Sequence, residues 1–123
     1  MMERKESVLK NKSESFAKRI IKLYQYLMNV KHETVISKQI YRSGTSIGAN
    51  IAESRFAQSE LDFISKLSIA LKEAEETEYW LKSLRGGDYL TEAEYLSMSK
   101  DNNEVIRMLV SSIKTMKKKV GIL

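Results

Sequence analysis

Residues 59–84 read SELDFISKLSIALKEAEETEYWLKSL. Phe63, Leu67, Ala70, Ala74, Thr77, Leu81 and Leu84 follow one another at steps of four, three, four, three, four and three. Residues at that spacing lie one above the other on an α-helix, so the stretch predicts a helix from Glu60 to Leu84 with one apolar face. Ser59 is the expected N-cap, and Glu60 and Asp62 suit the electropositive first turn. Gly86 and Gly87 are expected to stop the helix. A second line, Ile69, Glu73, Glu76 and Trp80, steps four, three and four beside the first and mixes apolar with acidic groups.

The same spacing marks three further helices. Phe16, Ile20, Leu23, Leu27 and Val30 predict one from Ser13 to Val30, with Ser13 as N-cap and residues 1–12 as a flexible N-terminal segment. Ile36, Ile40, Ile47 and Ile51 predict another from Thr34 to Ala57. Its middle, Ser43, Gly44, Thr45, Ser46 and Gly48, holds poor helix formers. That middle either breaks the segment in two or lets Gly44, Gly48 and Ala52 bring two backbones close; we expect a continuous or mildly bent helix. The last predicted helix spans Glu92–Lys119. Thr91 and Glu94 form a capping box, and Leu96, Ile106, Leu109, Val110, Ile113, Met116 and Val120 form the apolar line. Asp101, Asn102 and Asn103 weaken its middle, and Gly121 lies past its end. Four amphipathic helices with short connections predict an all-α, antiparallel up-down four-helix bundle over residues 13–123.

Composition agrees. The 123 residues are 42% hydrophobic and 30% charged, with five Gly and no Pro, too few turn residues for a β-rich fold. The absence of Cys excludes a disulfide scaffold, a thiol nucleophile and a cysteine-ligated metal. No apolar run approaches the roughly 18 residues of a membrane span. The N-terminal MMERKESVLKNKSES has no apolar core, so no signal peptide is expected there. The chain is therefore expected to be soluble and cytoplasmic, with no membrane partner.

Chemistry-bearing residues are sparse. His32 is the only histidine and falls in a connection, where a solvated role is expected. A dinuclear carboxylate site in a bundle would want Glu-x-x-His pairs on two helices, and none exists. SGTSIGAN at 43–50 has the composition of a phosphate loop but lacks the Gly-Lys-Ser/Thr that contacts phosphate and Mg²⁺. No catalytic residue, metal site or cofactor is expected.

Charge is segregated. Residues 1–31 carry eight Lys/Arg against three Glu, whereas residues 58–90 carry seven acids against four bases. Lys114, Lys117, Lys118 and Lys119 close the chain. The net +5 is compatible with a basic face for an anionic partner. From charge alone we favour the plainer reading, a solvated helix surface with its terminal lysines favoured by the helix dipole.

Polar residues beside the apolar lines are more informative. Ser46, Asn50 and Glu53 line the second helix next to Ile47 and Ile51; Glu73, Glu76 and Trp80 line the third, beside Tyr79. One reading is a subunit interface, its carboxylates paired with Arg42 or Arg55 and its aromatic rings amphipathic enough for an interface. The other is that Trp80 widens the monomer core and the glutamates are solvated. We expect the interface.

SGTSIGANIAES, residues 43–54, resembles the central motif of the 23S rRNA-intervening-sequence protein family, also called the four-helix-bundle protein family. The family pattern Ser-Ile-x-x-Asn-Ile-Ala-Glu is matched by Ser46, Ile47, Asn50, Ile51, Ala52 and Glu53. In the following block, Asp62 and Phe63, Lys72 and Glu73, Glu76 and Thr77, and Tyr79, Trp80 and Leu81 resemble a subgroup of the family. Ser54 departs from the Gly or Ala of many relatives. The resemblance covers most of the second and third helices. It implies an antiparallel four-helix bundle assembled as a ring-like homopentamer, with no known enzymatic activity. Some members are encoded within insertions in 23S rRNA genes. A related accessory protein of diversity-generating retroelements is a basic pentamer that binds a reverse transcriptase and nucleic acid.

With that resemblance, the expected function is a non-enzymatic, self-associating bundle that binds RNA or a ribonucleoprotein. The candidate contacts are Lys12, Lys18, Arg19 and Lys22, with Lys114, Lys117, Lys118 and Lys119. The rival is a protein-binding scaffold with no direct nucleic-acid role. Ser46, Asn50, Glu53, Glu73, Glu76, Thr77, Tyr79 and Trp80 are the expected assembly motif.

Overall fold

A computed structural model describes residues 4–123. Four helices follow in order: α1 (Arg4–Asn29), α2 (Ile36–Ser54), α3 (Glu60–Gly86) and α4 (Glu92–Lys119). No strand occurs among the described residues. Cross-helix contacts fix the orientation. Lys5, Lys12 and Arg19 of α1 meet Ser111, Glu104 and Asp101 of α4, in descending order. Glu78 of α3 meets Ser99 of α4, while Lys119 meets Glu60. Each helix therefore runs antiparallel to the next, in an up-down bundle whose helices neighbour one another in the cycle α1–α2–α3–α4. The α1–α4 seam is the sparsest of the four.

The core is the set of stripes read from spacing. Phe16, Ile20 and Leu27 of α1, Ile40, Ile47 and Ile51 of α2, and Leu67, Ala70, Ala74, Thr77, Leu81 and Leu84 of α3 are all buried. On α4 the outcome differs. Leu96 and Val110, assigned to the apolar line, are exposed, and Tyr95, Met98, Ser99, Asn102 and Val105 face inward instead. The inward face of α4 is thus partly polar, through Ser99 and Asn102.

The helix ends show how local chemistry sets the frame. Ser59 Oγ accepts the Asp62 N–H at 3.0 Å, and Thr91 and Glu94 form the full capping box. At the start of α2 the cap comes from outside the helix. The buried Glu33 carboxylate accepts the N–H groups of Ser37, Ile36 and Val35, at 2.6, 3.0 and 3.2 Å. Burial pushes its pKa up, but those backbone donors outweigh burial and hold it below the ordinary value of 4.5. His32 just before it takes a left-handed φ of 57° and turns the chain out of α1, where Val30 is left exposed. After α3 the left-handed residue is Asp88 (φ 64°), and α3 continues through Gly86.

The first helix begins at Arg4, nine residues earlier than expected from Ser13. Residues 4–12 are thus helical where a flexible segment was expected; Met1, Met2 and Glu3 lie outside the described residues. Leu9 anchors the extra turns in the core at 2% exposure. Ser13 is a buried mid-helix residue whose Oγ donates to the Lys10 carbonyl at 2.9 Å. It is buried because Gly48 of α2 stands over it, and Gly44 stands over Ile20 in the same way. The small residues of α2 therefore permit close approach to α1, and α2 is one continuous helix. Ala52 is exposed and takes no part in that contact.

Candidate assembly face and nucleic-acid interface

The α2–α3 side holds the expected motif. Arg42 of α2 donates to Glu73 at 2.9 Å and also to Glu76, tying the two helices across their outer edge. The Glu76 hydrogen bond, with the added charges of Glu73 and Glu76, outweighs desolvation and raises the Arg42 pKa. The pairing expected with Arg42 is thus present, and it is made within one chain. Arg55 makes no ion pair among the described residues. Thr77 is wholly buried and bonds to Ser43 Oγ at 2.9 Å, so it belongs to the core and registers α3 against α2. Ser46 Oγ donates to the Arg42 carbonyl, and Asn50 Nδ2 to the Ser46 carbonyl at 2.8 Å. Both motif residues therefore bond along their own helix. Glu53 is exposed and unpaired among the described residues.

Trp80 is half-buried against the core, with its Nε1 buried and lacking an acceptor among the described residues. Tyr79 packs edge-on against it, centroids 5.0 Å apart, and is 62% exposed. The outward row of α2 is uncharged: Tyr41, Thr45, Ala49 and Ala52 follow at helical spacing, and Phe56, in the turn after α2, is 84% exposed. Leu61, Ile69 and Tyr79 add exposed apolar surface on α3.

The α1–α4 side is the basic one. Seven Lys/Arg stand against two Glu on α1, and six against four acids on α4. The candidate cations divide into two groups. Lys12 pairs with Glu104 at 3.1 Å, Arg19 with Asp101 at 2.6 Å and with Ser97, and Lys119 with Glu60 at 3.8 Å. These hold the bundle's own seams. Lys18, Lys22, Lys114, Lys117 and Lys118 make no ion pair among the described residues, and all but the half-buried Lys117 are exposed. Lys100 and Arg107, which the sequence reading passed over, are exposed on the same row of α4 as Lys114 and Lys118. Their seven-residue spacing was the available signal.

A third polar group lies between α3 and α4. The Glu78 carboxylate accepts from Tyr95 Oη at 2.6 Å and from Ser99 Oγ at 2.9 Å, and Asn102 Nδ2 donates to the Ala74 carbonyl at 2.9 Å. Burial, then the bond to Glu78, raises the Tyr95 pKa. Arg85 stacks over the Tyr95 ring at 3.9 Å. The spacing Tyr95–Ser99–Asn102 on one face was its only trace in the sequence. No cluster of three or more His, Cys, Asp or Glu among the described residues could hold a metal ion. No helix among them is long and apolar enough to cross a membrane.

These features define an up-down helical bundle with a mixed apolar and ion-paired face on α2–α3 and a basic face on α1–α4. The chain belongs to the 23S rRNA-intervening sequence protein family, whose model matches residues 5–111. It is also similar to a crystal structure of a protein of unknown function from the S23 ribosomal protein family of Bacteroides thetaiotaomicron. That protein shares 55% identity, with 89% of this chain and 98% of that chain covered and a TM-score of 0.89. Comparison with curated proteins finds no match.

Proposed function

We propose that this chain is a non-enzymatic, self-associating bundle that binds RNA or a ribonucleoprotein through its basic side. The observation that supports it best is spatial. The two helices richest in unpaired cations, α1 and α4, are neighbours, while Glu73 and Glu76 of α3 pair with Arg42 and Glu78 lies in the α3–α4 seam. The exposed apolar residues of α2–α3 lie on the opposite side, which suits contact between copies. Assembly repeats the basic surface: five copies, as the family resemblance implies, bring about +25, and several weak sites gain avidity when linked. A gel-shift titration with structured RNA at two salt concentrations tests the reading. Binding should weaken steeply with salt, and no binding at low salt ends it.

One observation favours a protein partner instead. Between α1 and the start of α4, a hollow of about 500 Å³ is lined by Leu23, Tyr26, Leu90 and Met98 beside Arg19, Lys22 and Glu94, and its apolar groups suit an apolar side chain. A pull-down after nuclease treatment separates the two, since partners bridged by nucleic acid would be lost.

A further inference from the structure

We infer that the outward row of α4, made by Lys100, Arg107, Lys114 and Lys118, is the surface that grips the phosphate backbone of double-helical RNA. This rests on the RNA-binding reading above and places the contact. The four residues stand seven, seven and four positions apart and are all exposed. They form one row, about 27 Å long at 1.5 Å per residue. None has an ion-pair partner among the described residues, and the row contains no acid.

The acids of α4 are all engaged elsewhere. Asp101 is held by Arg19 and Glu104 by Lys12, both toward α1. Glu92 pairs with Arg85, and Glu94 closes the capping box. Glu104 is the one acid that helix spacing puts within reach of Lys100 and Arg107, and Lys12 takes it. The helix dipole accounts for cations in the last turn only. Lys100 and Arg107 lie three or more turns before Lys119, so the dipole gives no reason for them to be there. By contrast, Lys12 and Arg19 can reach a phosphate only by breaking the α1–α4 seam.

The row also tells against a single strand. Proteins that hold unpaired nucleic acid stack bases on aromatic rings. The row has no aromatic residue, and its apolar neighbours Leu96 and Val110 are aliphatic. Cations without stacking platforms, spaced along one helix, match a duplex read by its backbone without regard to sequence.

The test uses the full chain with three probes: an RNA hairpin, a DNA duplex of the same sequence, and the unpaired RNA strand. Binding is followed by fluorescence anisotropy over a salt series. The variant K100Q/R107Q/K114Q/K118Q should lower the slope of log K against log salt by about 3.6 on the hairpin, at roughly 0.9 per lost phosphate contact. Affinity at low salt should fall more than tenfold, on the order expected for several lost contacts. The control K18Q/K22Q, on α1, should change the slope by less than half as much. If the fourfold variant loses helical circular dichroism, K100Q/R107Q alone is read, with an expected fall of about 2. Unchanged slope and affinity in a folded variant would overturn the inference while leaving RNA binding intact. So would tighter binding of the unpaired strand than of the hairpin. Equal binding of the DNA duplex keeps the phosphate contact and overturns the restriction to RNA. Failure of the unaltered chain to bind any probe at low salt removes the underlying reading instead.

Discussion

Replacing Gly44 by alanine tests the closest approach in the bundle. A Cβ there would stand 2.7, 2.8 and 2.9 Å from Cγ1, Cδ1 and Cγ2 of Ile20. Ile20 is fully buried, and its β-branched side chain has one strongly preferred χ1 in a helix. Rotation would exchange one γ-carbon for another, so relief has to come from moving α1. Overpacking of this kind costs about 1–3 kcal/mol. Alanine returns up to about 1 kcal/mol through helix propensity. The net expectation is a loss of about 1–2 kcal/mol, read from urea denaturation followed by circular dichroism. Gly48→Ala is the internal control. Its Cβ meets Ser13 Oγ at 3.6 Å, an ordinary contact, so propensity dominates and stability should rise by up to about 1 kcal/mol. In an Ile20→Ala background the obstructing atoms are gone, and Gly44→Ala should become neutral or stabilising. Equal effects at Gly44 and Gly48, or no coupling between Gly44 and Ile20, would refute the close-approach account.

Glu33→Ala should destabilise the chain by about 2 kcal/mol, because three amide donors at the start of α2 lose their acceptor. Glu33 titrates below 4.5 in the folded chain, so its stabilising effect is full above that pH and is lost as pH falls through the lowered value. Stability curves of the two proteins should therefore converge in acid, and a constant gap down to pH 2 would count against this cap. Tyr95→Phe removes one of the donors to Glu78 and should cost about 1 kcal/mol in thermal melts; an unchanged melting temperature argues against a stabilising α3–α4 cluster. Asn50→Leu should keep the chain helical and disturb assembly, and an unchanged particle mass by light scattering would count against a role for that motif position.

Much of the fold was legible because burial followed apolar spacing. Helix α3 shows it best: every member of its stripe from Leu67 to Leu84 is buried, and its N-cap stands where a serine precedes two acids. Residues 4–12 were not legible, since KNKS offers no large apolar group and Ser13 imitates a cap. Its burial depends on Gly48, a residue of another helix. Helix α4 misled for the reverse reason. Ser99 and the Asn102 amide point inward because Glu78 and the Ala74 carbonyl accept their hydrogen bonds, partners that only the fold brings together, while Asn102 Oδ1 is buried with no donor among the described residues. Cation number was readable, but cation availability was not. Lys12 and Lys18 are alike in the sequence, yet one is held by Glu104 and the other makes no ion pair among the described residues.

The proposal that copies join through α2–α3 and leave α4 to RNA is tested most directly by multi-angle light scattering of the chain alone and mixed with an RNA hairpin at low salt. The expected mass of the chain alone is a multiple of 14.2 kDa, and the mixture should gain the mass of RNA with the number of chains unchanged. A free chain at 14.2 kDa, or a mixture whose protein assembly falls apart as RNA binds, would contradict the division of the molecule into an assembly face and a nucleic-acid face.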